Sequence, residues 1–100
     1  MAVSFKADIL PMFTQDDIQH MSGMGVFLNR YDYMSNAAGG TVLGSCGPYA
    51  DHANARAVYD ALVGNCQPQM PLGGPYWTDS QHGKANLATY QQWMTDGYQQ

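Results

Sequence analysis

Each of the three histidines in this 100-residue chain has an aspartate within four residues of it. Asp16 and His20 stand at i,i+4 and Asp17 and His20 at i,i+3, so on a helix either pair shares a face and is spaced to chelate a divalent ion. Asp79 and His82 repeat the i,i+3 spacing, and Asp51-His52 are adjacent beside a long irregular stretch. An imidazole titrates near neutrality, so His52 can serve as a general base, with Tyr49 or Cys46 as neighbours. The plainer account of all three pairs is acids favouring a positive helix end and histidines on helix surfaces. Convergence of the three histidines on one metal is a third reading that spacing alone does not establish.

The two cysteines are Cys46 and Cys66. Cys46 lies in Gly44-Ser45-Cys46-Gly47-Pro48, ahead of an expected helix start whose dipole would favour a thiolate nucleophile. A bridge between the two would close a loop of about 20 residues and add roughly 3 kcal/mol on the chain-entropy argument. Two free thiols are the alternative, and neither Cys-x-x-Cys nor a Cys/His ligand comb is present. Tyr31, Tyr33, Tyr49, Tyr76, Trp77, Tyr90 and Trp93 exceed what a core of this size needs. Some can line a pocket for a flat apolar ligand, and packing with hydroxyls at the surface is the simpler use.

The elements that must position these side chains read as helices. Thr14 is an N-cap with Asp17 three residues on, a capping box with Asp in place of Glu. Ile18, Met21 and Met24 form its buried stripe, Phe13 its staple, and Gly23 and Gly25 its end. Before it, 1–12 reads as extended, because Pro11 biases Leu10 away from helix. Val26-Phe27-Leu28 is a short apolar run that suits a strand with no evident partner, and Tyr31-Asp32-Tyr33-Met34 a turn or one helical turn. Residues 35–48 are the longest irregular stretch. Pro48 is placed to open a second helix, whose small-residue face is Ala50, Ala53, Ala57, Val58, Ala61 and Leu62, with Gly64 as C-cap. Thr78 and Gln81 make a capping box for the last helix, whose stripe is Leu87, Tyr90, Trp93 and Met94. Gly83 weakens that helix by about 1 kcal/mol relative to Ala.

Length and charge narrow the function. One hundred residues make one domain, 1–100, that buries about two-thirds of its unfolded surface. Net charge is −4; all eight acids are Asp, and Lys6, Arg30, Arg56 and Lys84 are scattered. That excludes nucleic acid and anionic membrane as expected partners. No apolar run approaches the ~18 residues of a membrane span, and the opening Met1-Ala2-Val3-Ser4-Phe5-Lys6 has no signal-peptide core. The expected location is cytoplasmic.

Met70-Pro71-Leu72-Gly73-Gly74, followed by Tyr90-Gln91-Gln92-Trp93-Met94-Thr95-Asp96-Gly97, resembles the Met-Pro loop and terminal tryptophan helix of class I c-type cytochromes. Ile9-Leu10-Pro11-Met12-Phe13 resembles the run before that family's haem attachment site. Where the family has Cys-x-x-Cys-His, this chain has Asp17-Ile18-Gln19-His20-Met21, so covalent haem has no attachment sulfurs. The resemblance implies an all-α, three-to-four-helix cytochrome c-like core with long loops, no cofactor, and the former haem space filled or used as a pocket.

The expected function is a haem-free binding or accessory protein of bacterial metabolism, secondary metabolism included. Met21, Tyr31, Tyr33, Met70, Trp77 and Tyr90 would line its pocket, and its partner would be a small apolar or aromatic molecule or an enzyme. The alternative is a cofactor-independent enzyme performing acid–base cyclisation or isomerisation with His20, Asp17 and His52.

Overall fold

The computed structural model describes residues 3–70 and 75–100, and these are mainly helical. The chain starts with a single π-helical turn, Phe5–Ile9, and a 3-10 turn, Leu10–Met12. Both fall where the sequence suggests extension. Ser4 overrides that expectation: its hydroxyl accepts from Ala7 N at 3.0 Å while Asp8 Oδ2 accepts from Ser4 N at 2.9 Å, a reciprocal cap that closes the turn. Phe5 and Ile9 are buried on its inner side. Leu10 stays helical before Pro11 because proline in the first turn of a helix gives up no needed N–H.

Helix α1, Gln15–Ser22, begins on the expected capping box, with Asp17 N donating to Thr14 Oγ1 at 3.1 Å and Thr14 N to Asp17 Oδ2 at 3.0 Å. Met21 is its buried residue; Met24 lies beyond the helix end and is 43% exposed, so it leaves the predicted stripe. Phe13 packs across to Trp77, ring centroids 5.5 Å apart, rather than serving α1 alone. Val26 and Leu28 are fully buried without strand structure. Helix α2 is the single turn Tyr31–Met34.

Residues 35–48 are irregular, as expected, and are pinned by backbone bonds. Gly40 and Tyr49 exchange hydrogen bonds of 2.9 and 3.0 Å, and the amides of His52 and Ala53 donate to the carbonyls of Ala37 and Ala38. Helix α3 is Ala53–Val63, so Pro48 does not open it; the pinned segment carries the chain five residues further before a helix can start. Gly64 ends α3 in the left-handed conformation, φ 82°, as predicted. Cys46 and Cys66 are joined in a disulfide, Cα–Cα 5.1 Å, which ties the irregular stretch to the segment after α3.

Trp77–Asp79 forms a 3-10 turn and helix α4 spans Gln81–Thr95. Its cap is Ser80, accepting from Gly83 N at 2.9 Å, and not Thr78, which the turn absorbs. A Cβ on Gly83 would collide with the Trp77 backbone. The glycine is thus the condition for Trp77 to lie on the first turn of α4, which outweighs its propensity cost. Leu87, Tyr90 and Trp93 form the buried face of α4, with Met94 half-buried. Packing on α3, the opening turn and the Trp77–Asp79 turn makes α4 the centre of one hydrophobic core.

Candidate functional site

At the start of α3, Asp51 and His52 form a close pair. His52 Nδ1 lies 2.9 Å from Asp51 Oδ1, and the same oxygen accepts from Arg56 Nε at 3.2 Å and Nη2 at 2.9 Å. Hydrogen bonds from His52 and Arg56 hold the Asp51 carboxyl below the usual carboxylate range. An ionised carboxylate only accepts, so Nδ1 is the nitrogen that donates in this contact, and Nε2 is the one left to face a guest. That atom has no hydrogen-bond partner among the described residues, and the side chain is 24% exposed. His52 takes a left-handed backbone, φ 46° and ψ 44°, uncommon for a residue with a side chain.

Its ring lies on Tyr98, 3.9 Å between centroids and 2° from parallel. Tyr98 also has positive φ, 59°, directly after Gly97. It is held there by its amide on Trp93 O at 3.0 Å and its carbonyl under Tyr31 Oη at 2.7 Å. Its ring meets Trp93 edge-on, and burial pushes its phenol up.

Arg56 also lies on the rim of a groove between α3 and α4. Tyr49, Arg56, Tyr59, Asp60, Gln91 and Met94 line about 210 Å³ of open-sided space. Tyr49 Oη donates to Asp60 Oδ2 at 2.5 Å. Burial first, and then Asp60, raise the Tyr49 phenol far above its ordinary value, so it remains a donor. Tyr59 stacks on buried Tyr90, and its hydroxyl reaches Gln91 Oε1 at 3.5 Å. Tyr90 in turn donates to Ala55 O at 2.9 Å, fixing α4 against α3.

The anticipated site residues are dispersed. Asp17 is consumed by the cap of α1, and His20 is exposed in the last turn of that helix. No bond joins either to His52 among the described residues. Met21, Met70, Trp77 and Tyr90 are all buried in the shared core, at 0–8% exposure. Tyr31 and Tyr33 are half-buried against it, one tied to Tyr98 O and the other accepting from Asn54 Nδ2 through its carbonyl. Most of the Met-Pro turn, 71–74, lies outside the described residues. Among the described residues no group of three or more His, Cys, Asp or Glu side chains could hold a metal ion.

Sequence reasoning paired Asp51 with His52 but missed Arg56, Asp60, Tyr59, Gln91 and Tyr98. Arg56 and Asp60 stand at i,i+4 on α3, a signal open to a reader of helical faces. Nothing local marks Tyr98, whose partner lies on another element. Neither protein-family models, nor curated proteins, nor solved structures gave a match to this chain.

Proposed function

We propose that the chain is a haem-free helical binding domain, related to the cytochrome c core, that seats a small molecule in the groove between α3 and α4. The carrying observation is the groove itself, with Tyr49, Tyr59 and Met94 as its less polar walls and Arg56, Asp60 and Gln91 as polar groups able to orient a guest. Its 210 Å³ lies below the roughly 300–1,000 Å³ of drug-sized pockets, so the guest is fragment-sized. The seat differs from the former haem space anticipated above because Met21, Met70 and Tyr90 are spent on the core. The cytochrome relationship rests on the resemblance of residues 9–13, 70–74 and 90–97 to that family's motifs. No described helix is long and apolar enough to cross a membrane. The disulfide supports an oxidising compartment over the cytoplasm. A partner enzyme would receive the bound molecule.

The test is an amide-resolved NMR titration with a panel of fragment-sized aromatic and aliphatic compounds. Hits should shift Tyr59, Gln91 and Met94 and vanish in Met94→Trp, which fills the groove. Hits mapping only to other surfaces would sink the assignment.

One observation favours acid–base catalysis as a second reading: the Asp51–His52 pair leaves Nε2 without a hydrogen-bond partner among the described residues, on a side chain that is 24% exposed. Nitrogen NMR of His52 at neutral pH decides it, since an Nε2–H tautomer would leave no base at the open face.

A further inference from the structure

We infer that the α3–α4 groove selects a small organic ammonium ion, a refinement that rests on the binding reading above. Two ionised groups line the groove, Arg56 and Asp60, and Asp51 stands against Arg56 outside the lining. Asp51 takes two N–H bonds from Arg56 and so offsets its charge locally. Asp60 makes no ion pair of its own, the ion pairs among the described residues being Arg30–Asp32, His52–Asp51 and Arg56–Asp51, and Arg56 acts on it only at longer range. Asp60 accepts from the neutral Tyr49 hydroxyl at Oδ2, which keeps the carboxylate oriented without neutralising it. Tyr49 and Tyr59 line the same groove, Tyr59 with one face stacked on Tyr90, and a tyrosine face attracts a cation through its quadrupole. Gln91 adds a carbonyl oxygen, and Met94 an apolar wall for alkyl groups.

The last helix points the same way, since Gln91 and Met94 in its C-terminal part bring the negative end of α4 toward the groove. The net charge of −4 adds a field that draws cations and repels anions. A carboxylate or phosphate guest would have Arg56 as its one cationic partner in the lining, and would have to compete with Asp51 and approach Asp60 to reach it. An ammonium with a short apolar body meets Asp60, two aromatic rings and Met94 without breaking a bond already present.

The probes are choline, its uncharged carbon isostere 3,3-dimethyl-1-butanol, and the anion 3,3-dimethylbutyrate, titrated into the intact disulfide-bonded chain with amide shifts as readout. Choline should shift Asp60, Gln91 and Met94 saturably and bind about tenfold tighter than the alcohol. Asp60→Asn should remove that preference, and Tyr59→Leu, which keeps all charges, should weaken choline by a few fold. Should Asp60→Asn unfold, Tyr59→Leu and the three-probe ranking still decide. Equal binding of alcohol and choline at the groove, or tighter binding of the butyrate, overturns the ammonium assignment while leaving a binding groove. Absence of groove shifts with every probe here and with the wider panel removes both.

Discussion

His52 and Tyr98 stack their rings face to face, and both hold left-handed backbones, φ 46° and 59°. One residue starts α3; the other follows α4. The stack ties the two helix ends together, while the backbone at each costs about 1 kcal/mol relative to glycine there. Replacing His52 with Ala and with Gly separates these effects. Both lose a stack of about 0.5–1.5 kcal/mol, but only Gly relieves the backbone. The Gly variant should therefore be the more stable by roughly 1 kcal/mol, the reverse of the order in a helix interior. Urea unfolding measures it, and an Ala variant as stable as the Gly variant would refute the strain.

Gly83→Ala tests the contact that places Trp77. Propensity alone predicts a gain of about 1 kcal/mol in a helix. The added Cβ meets the Trp77 backbone, which cannot rotate away as a side chain tip can. The variant should lose about 1–3 kcal/mol, with loss of the Phe13–Trp77 stack visible in near-ultraviolet circular dichroism. A stabilised variant would show that the turn over α4 is free to shift.

Which features were legible in the sequence follows from the range of the interactions. The capping box at Thr14 and Asp17, the glycine end at Gly64 and the Leu87–Tyr90–Trp93 stripe are each set within a few residues, and all are found where the pattern puts them. The helical opening at 5–12 was hidden because Ser4 and Asp8 form an unusually spaced reciprocal cap that outweighs Pro11. Ser80 displaces Thr78 as cap because Trp77 must first settle on Gly83, a contact between elements. The groove was hidden for the same reason. Tyr49 and Asp60 become partners only when the irregular stretch is pinned to α3.

The bridge between Cys46 and Cys66 should carry a measurable share of stability. It closes a loop that contains all of α3, with a sequence separation of 20. Chain entropy assigns such a closure about 3 kcal/mol. Cys46 is fully buried, so replacing both cysteines with Ala, rather than Ser, avoids burying hydroxyls and isolates the covalent term. The double variant should unfold at lower urea with a transition about 3 kcal/mol weaker, and reductant should shift the parent chain and not the variant. Equal midpoints for parent and variant would show that backbone pinning alone orders the 35–48 stretch.

Stability should fall at both ends of the pH scale, for opposite reasons. Asp96 is held below its ordinary pKa, chiefly by the Val3 amide at 3.1 Å and then by Gln92. A depressed carboxyl contributes stability above its unfolded value near 4 and loses it as pH falls through the folded value. Asp51 acts in the same sense through His52 and Arg56. At the other end, burial raises Tyr90 well above 10, and Tyr49 and Tyr98 also move up. Their neutral forms favour the fold below the unfolded phenol value near 10, and that contribution is lost as pH rises beyond it. Urea midpoints from pH 2 to 12 should trace this dome. Asp96→Asn should flatten the acid limb and leave the alkaline one unchanged. Tyr90→Phe should flatten the alkaline limb, at a cost near neutrality of about 1 kcal/mol for the lost bond to Ala55 O. An alkaline limb unchanged in Tyr90→Phe would mean that the phenol ionises inside the folded chain, contrary to its complete burial.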